Sequence, residues 1–148
     1  MKPPELTDEE ARTWLAGPNI ARLGTINGDG SPRVTALWYL PEGDGTISLN
    51  TYEDNVHVDN LRREPRAALL VDSCDQPYRS VHFNGEATIF DEAATADEIA
   101  RLYERYLGGA DAATAYGEQL VAGGKRVTIR FQPDPERRRS VDFGKLGG

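Results

Sequence analysis

Few residues of this chain have side chains suited to chemistry of their own. There are two histidines, His57 and His82, and one cysteine, Cys74, so a histidine-rich metal site and a cysteine-based zinc cage are both excluded. A Walker loop, a dinucleotide glycine fingerprint and a nucleophile elbow are also missing. Cys74 sits between Ser73 and Asp75, close to Asp72, and neighbouring carboxylates raise a thiol pKa, so it reads as a loop cysteine rather than a nucleophile. His57 falls on the first turn of an expected helix after Asp54, where amide donors and the helix dipole favour an anion such as phosphate. Packing beside Leu61, one helical turn on, is the other reading. His82 lies between Val81 and Phe83 on a strand and should face away from both, solvated or hydrogen-bonded. Arg62, Arg63 and Arg66, grouped around Pro65, suit a solvated helix end or a phosphate-bearing ligand.

The whole chain narrows the setting of any site. Its 148 residues read as a single domain, 1–148, with the site built in one core or at a subunit boundary. A net charge of −7 disfavours a nucleic-acid partner. The hydrophobic share of 39% supports a packed core, and no apolar run approaches the ~20 residues that span a bilayer, so no membrane partner is expected. The first ten residues carry Pro3, Pro4 and four acidic groups rather than the basic start of a signal peptide, which implies a cytoplasmic protein. Only Lys2, Lys125 and Lys145 among 17 basic residues are lysine, a bias toward arginine typical of GC-rich genomes.

Local patterns then place the elements. Thr7 and Glu10 form a capping box before a first helix that ends near Gly17 and Pro18. Alternation predicts strands at 20–26, 34–40 and 46–52, joined by Gly-rich turns into an antiparallel meander. Asp54 is the expected N-cap of a helix that must stop before Pro65. Residues 67–71 are apolar in succession and read as a strand buried on both faces. Residues 78–90 suit a bent strand in which Gly85 marks a bulge or a close backbone approach. Helical period returns at 96–107 and again at about 111–121, and 126–131 alternates as a last core strand. Val141 and Phe143 allow a short edge strand. The fold class is mainly β with flanking helices, a six-stranded antiparallel barrel, closed or split.

Against this frame, several segments resemble one family. Leu23-Gly24-Thr25-Ile26, Asp29-Gly30-Ser31-Pro32, Leu37-Trp38-Tyr39, Gly45 and Thr51 come first in order. Asn60-Leu61-Arg62-Arg63-Glu64-Pro65-Arg66, Val71-Asp72 and residues 81–85 follow. Together they resemble the pyridoxamine 5'-phosphate oxidase-like, FMN-binding split barrels, nearest the small flavin- or deazaflavin-dependent oxidoreductases. The likeness spans about residues 10 to 131.

This resemblance implies a six-stranded antiparallel split barrel that dimerises with itself and holds an isoalloxazine or deazaflavin ring between subunits. It implies a phosphate site at Thr51, Asn55, Val56 and His57, with Asn60 also at the cofactor and His57 standing where the family usually has lysine. Thr35, Leu37, Trp38 and Asn50 are candidate ring walls, although Trp38 is equally suited to the barrel core. A bound flavin carries the redox step itself, which accounts for the lack of a catalytic dyad. The expected function is an oxidoreductase using coenzyme F-420 or FMN on a small conjugated organic substrate. The alternative is a haem-binding split barrel with His57 or His82 as axial ligand. A pyridoxamine-phosphate oxidase proper is disfavoured by the sparse basic cluster.

Overall fold

The computed structural model describes residues 2–147, and its first helix, α1 (Asp8–Ala16), starts as its capping box requires. Thr7 Oγ1 accepts from the Glu10 amide at 3.1 Å, and the Glu10 carboxylate accepts from the Thr7 amide at 3.4 Å. Next come β1 (Ile20–Ile26), β2 (Pro32–Leu37), β3 (Tyr39–Pro41) and β4 (Ile47–Tyr52). They are followed by α2 (Val56–Arg63), β5 (Arg66–Asp72), β6 (Arg79–Phe90), α3 (Ala96–Leu107), α4 (Ala110–Ala122), β7 (Arg126–Pro133) and β8 (Arg139–Asp142).

All pairings between these strands are antiparallel, and the order across the sheet is β2-β1-β5-β6-β7-β4-β3, with β8 added to β6. The two ends of that order, β2 and β3, are consecutive in the chain and separated by Trp38 alone. The strand expected at 34–40 is therefore one bent strand: it leaves β1 after Leu37 and joins β4 from Tyr39, which curls the sheet back on itself. Counted this way the barrel has six strands, and β8 is the edge addition. The result is a split barrel with helices on its flanks.

Two cores follow from the curl. Leu23, Tyr39, Leu49, Leu69, Val81 and Phe131 fill the barrel, and α3 with α4 covers its outside over Trp38. The helix pair is close enough that a side chain on Gly117 would run into the backbone of Ala96.

Two local expectations need revision, and at Gly85 the structure decides between two alternatives. Asn55, not Asp54, is the N-cap of α2, and its side chain caps nothing because its amide donates to Thr51 Oγ1 at 2.8 Å. Strand β5 buries Leu69 and Val71 on one face only, while Ala68 and Leu70 stay half-buried on the other. Gly85 sits in unbroken register with both Ala67 and Pro133, so its role is close approach and not a bulge. A Cβ there would fall on the Gln132 carbonyl oxygen and the Phe131 ring.

Candidate functional site

The turn from β4 into α2 gathers the polar residues that sequence singled out. Thr51 is the last inward-facing residue of β4, opposite Val127, and Asn55 and His57 come back over it as α2 begins. Asn55 Nδ2 donates to Thr51 Oγ1, and the same hydroxyl shares a hydrogen bond with His57 Nε2 at 2.9 Å. His57 is only 5% exposed. Burial first, and then the nearby Arg33 guanidinium, hold its pKa below the ordinary imidazole value, so the ring is neutral at pH 7. Val56, between Asn55 and His57, is half-exposed.

Arg33 was not anticipated. It stands on β2 opposite Thr25, on the strand face that carries Thr35 and Leu37, and its Nε donates to Asn27 Oδ1 at 3.0 Å. Period-two counting back from Thr35 would have found it. Arg63, at the end of α2, donates to the Ile26 carbonyl and to Asn60 Oδ1. Among the described residues neither guanidinium has a carboxylate partner, whereas Arg62 pairs with Glu53 and Asp91, and Arg66 with Glu64.

Asn60 is the clasp of this region. Its buried amide nitrogen donates to Thr25 Oγ1 at 3.1 Å and to Asn27 Oδ1 at 2.9 Å, while its oxygen accepts from Arg63 at 3.1 Å. Both amide hydrogens are thus engaged within the protein, and the residue ties α2 to the β1–β2 turn. A groove of about 940 Å³ starts beside this turn at Thr25 and Arg33 and runs across Ala68 to Gly85 and Pro133. Val34, 69% exposed, lies on its edge.

The expected ring walls divide between two faces. Thr35 and Leu37 share the barrel side with Thr51, whereas Trp38 and Asn50 lie beneath α3 and α4. Trp38 stacks on Tyr106 at 4.5 Å between ring centres, with the planes 4° apart, and meets Tyr103 edge-on at 5.2 Å. Burial pushes the Tyr106 hydroxyl pKa up to about 12. Asn50 accepts from Arg126 Nε and donates to the Val127 carbonyl.

The remaining candidates lie apart from this cluster. His82 is half-buried on β6 beside the buried Val81 and Phe83, in register with Leu70 and Arg139. Cys74 is exposed after β5. Among the described residues no helix is long and apolar enough to cross a membrane.

A curled antiparallel sheet of this order, with a polar turn at the barrel mouth, defines the split-barrel class. Within that class, a model of pyridoxamine 5'-phosphate oxidase matches residues 7–138, and the chain belongs to that family. The chain is similar along its whole length to the conserved hypothetical protein Rv2991 of Mycobacterium tuberculosis, at 32% identity and a TM-score of 0.78, covering 94% of that protein. An F-420 reductase matches at 25% identity and a TM-score of 0.61, over 83% of this chain and 92% of the other. The haem storage protein HutZ of Vibrio cholerae shares the fold at 16% identity and a TM-score of 0.67, over 86% and 89%.

Proposed function

We propose that this protein is an oxidoreductase that holds the phosphate end of coenzyme F-420 or FMN over the β4–α2 turn and acts on a small conjugated organic substrate. The observation that carries this reading is the juxtaposition of Thr51, Asn55 and His57 with the nearby guanidinium of Arg33, which lacks a carboxylate partner among the described residues. Such a donor set suits an anion: a hydroxyl and an amide offer directed hydrogen bonds, and Arg33 supplies the fixed charge that a neutral histidine does not. Arg33 thereby compensates from a neighbouring strand for the lysine that the resemblance expects at position 57. The similarity to an F-420 reductase supports the deazaflavin over FMN.

The bound cofactor would supply the hydride chemistry, and the protein would bind, orient and shield it. Thr51, Asn55 and His57 would anchor the phosphate, and Thr35 and Leu37, on the same side, would border the ring. The groove from Arg33 to Pro133, with Val34 exposed along it, suits a second copy of the chain, so we place the ring between the subunits of a homodimer in the cytoplasm.

The test is direct titration of purified protein with coenzyme F-420, FMN and haem, followed by absorption and by sedimentation. Saturable binding of F-420 or FMN by a dimer, weakened by Arg33→Ala, is expected. A strict monomer, or a Soret band with no binding of either flavin-type cofactor, would overturn the reading. For haem, His57 would first have to release Thr51, and His82 is the better-exposed imidazole.

A further inference from the structure

The outer face of β4 carries a second polar cluster, on the side opposite Thr51 and His57. Arg126 opens β7 directly opposite Tyr52, and its guanidinium lies 4.5 Å over that ring. It is 6% exposed. Its Nε donates to Asn50 Oδ1, and one terminal nitrogen, Nη2, donates to the Asn50 carbonyl at 3.1 Å and to the Tyr103 hydroxyl at 2.9 Å. The other terminal nitrogen, Nη1, has no hydrogen-bond partner among the described residues, and no carboxylate there pairs with the group. Structural duty therefore occupies one edge of the fork and leaves the other free.

Arg126 borders a cavity of about 310 Å³ under the α3–α4 hairpin, walled by Trp38, Tyr103, Tyr116 and Leu120 and rimmed by Ile20, Ala36 and Leu37. That volume is near the lower end of the roughly 300–1,000 Å³ typical of small-molecule sites. The cavity thus combines a buried cation lacking a counter-charge with flat apolar walls. Burial raises the Tyr103 pKa, so its phenol keeps the proton it donates to the Asn50 carbonyl at 3.2 Å.

We infer that this cavity binds a small planar organic monocarboxylate, with the carboxylate on Arg126 and the ring or conjugated chain lying against Trp38, Tyr116 and Leu120. A carboxylate supplies the missing charge and accepts from Nη1, and a flat apolar body fits the aromatic walls. One guanidinium with one free nitrogen matches a single negative charge better than a phosphate dianion. The inference does not rest on the redox reading, because Thr51 and His57 lie on the opposite face of β4.

Benzoate is the probe, and benzamide, of the same shape without the charge, is its control. Calorimetric titration of the full chain should show saturable benzoate binding in the millimolar range or tighter, and benzamide binding at least about tenfold weaker. Ala36→Trp should close the rim and abolish benzoate binding with the melting temperature kept, and Arg126→Leu should remove the preference for benzoate. Should Arg126→Leu fail to fold, Ala36→Trp decides alone. Absent benzoate binding, equal binding of benzamide, or undiminished binding by Ala36→Trp would overturn the inference.

Discussion

Thr51 Oγ1 and His57 Nε2 lie 2.9 Å apart in a buried pocket, so the strand end and the helix start are joined through a neutral imidazole. Its pKa is depressed in the folded protein, first by burial and then by Arg33, relative to about 6.5 when unfolded. The unfolded chain therefore takes up the proton more readily. This contribution to stability is complete above the unfolded pKa and is lost as pH falls from there through the folded pKa. Denaturant melts from about pH 7.5 down to about pH 5.5 should show falling stability, and His57→Gln should flatten that slope. Equal slopes in the two proteins would count against the depressed pKa.

Arg33→Glu places a negative charge where the cofactor's anionic end is proposed to sit. Affinity for F-420 or FMN should fall at least about tenfold, or about 1.4 kcal/mol, and the loss should shrink as salt is added because Arg33 is exposed. Melting temperature should barely move, since Arg33 makes only a surface hydrogen bond to Asn27. Titration at low and high salt checks both statements.

Gly85→Val should destabilise the fold by at least about 2–3 kcal/mol, because the added Cβ would fall on the Gln132 carbonyl and the Phe131 ring where β6 passes from β5 to β7. Gly85→Ala should be nearly as harmful, since it is the Cβ itself that collides. Chemical denaturation of both variants measures this, and an unchanged midpoint for the alanine variant would remove the argument.

Much of this architecture is legible from period and caps alone. Thr7 with Glu10 and Pro65 set the two ends that they predict, and Ile20–Ile26 alternates as written. The bend at Trp38 is not legible, because nothing between Val34 and Leu40 breaks the pattern and only the curled sheet requires the strand to change partners. The site shows the same division. Thr51 and His57 come together because a strand ends where a helix begins. Asn50 is adjacent to Thr51, and neighbours on a strand face opposite ways, so the two could not share a wall, while Trp38 leaves its strand at the bend and turns under α3 and α4. The same parity places Arg33 with Thr35. Arg126 was hidden because its significance depends on α3 and α4 folding over it.

Asn60→Ala removes three hydrogen bonds from the clasp between α2 and the β1–β2 turn, and it leaves Thr25 and Asn27 without a shared donor. A loss of about 1–3 kcal/mol is expected. Because Arg33 also hangs on Asn27, cofactor affinity should weaken as well, although Asn60 itself uses both amide hydrogens within the protein. Hydrogen exchange should locate the loosening in α2 and the 27–31 turn, leaving α3 and α4 protected. Loosening spread evenly over the chain would contradict the clasp.

His57, neutral in the free protein, should change its protonation when the proposed cofactor binds. An anion beside the imidazole favours its charged form and raises the pKa that burial and Arg33 had lowered. Between the free-state and bound-state values, binding of F-420 or FMN should therefore take up a proton. Affinity should be strongest at low pH and fall as pH rises through the bound-state pKa, where the imidazolium can no longer form. Calorimetry in two buffers of different ionisation enthalpy reads the proton directly. His57→Gln should abolish the uptake and flatten the profile while retaining part of the affinity through Thr51, Asn55 and Arg33. His57→Lys should flatten the profile too, since lysine stays charged across this range, and should bind at least as tightly if its longer chain fits. Heat signals identical in both buffers for the wild-type protein would show that the phosphate does not reach His57.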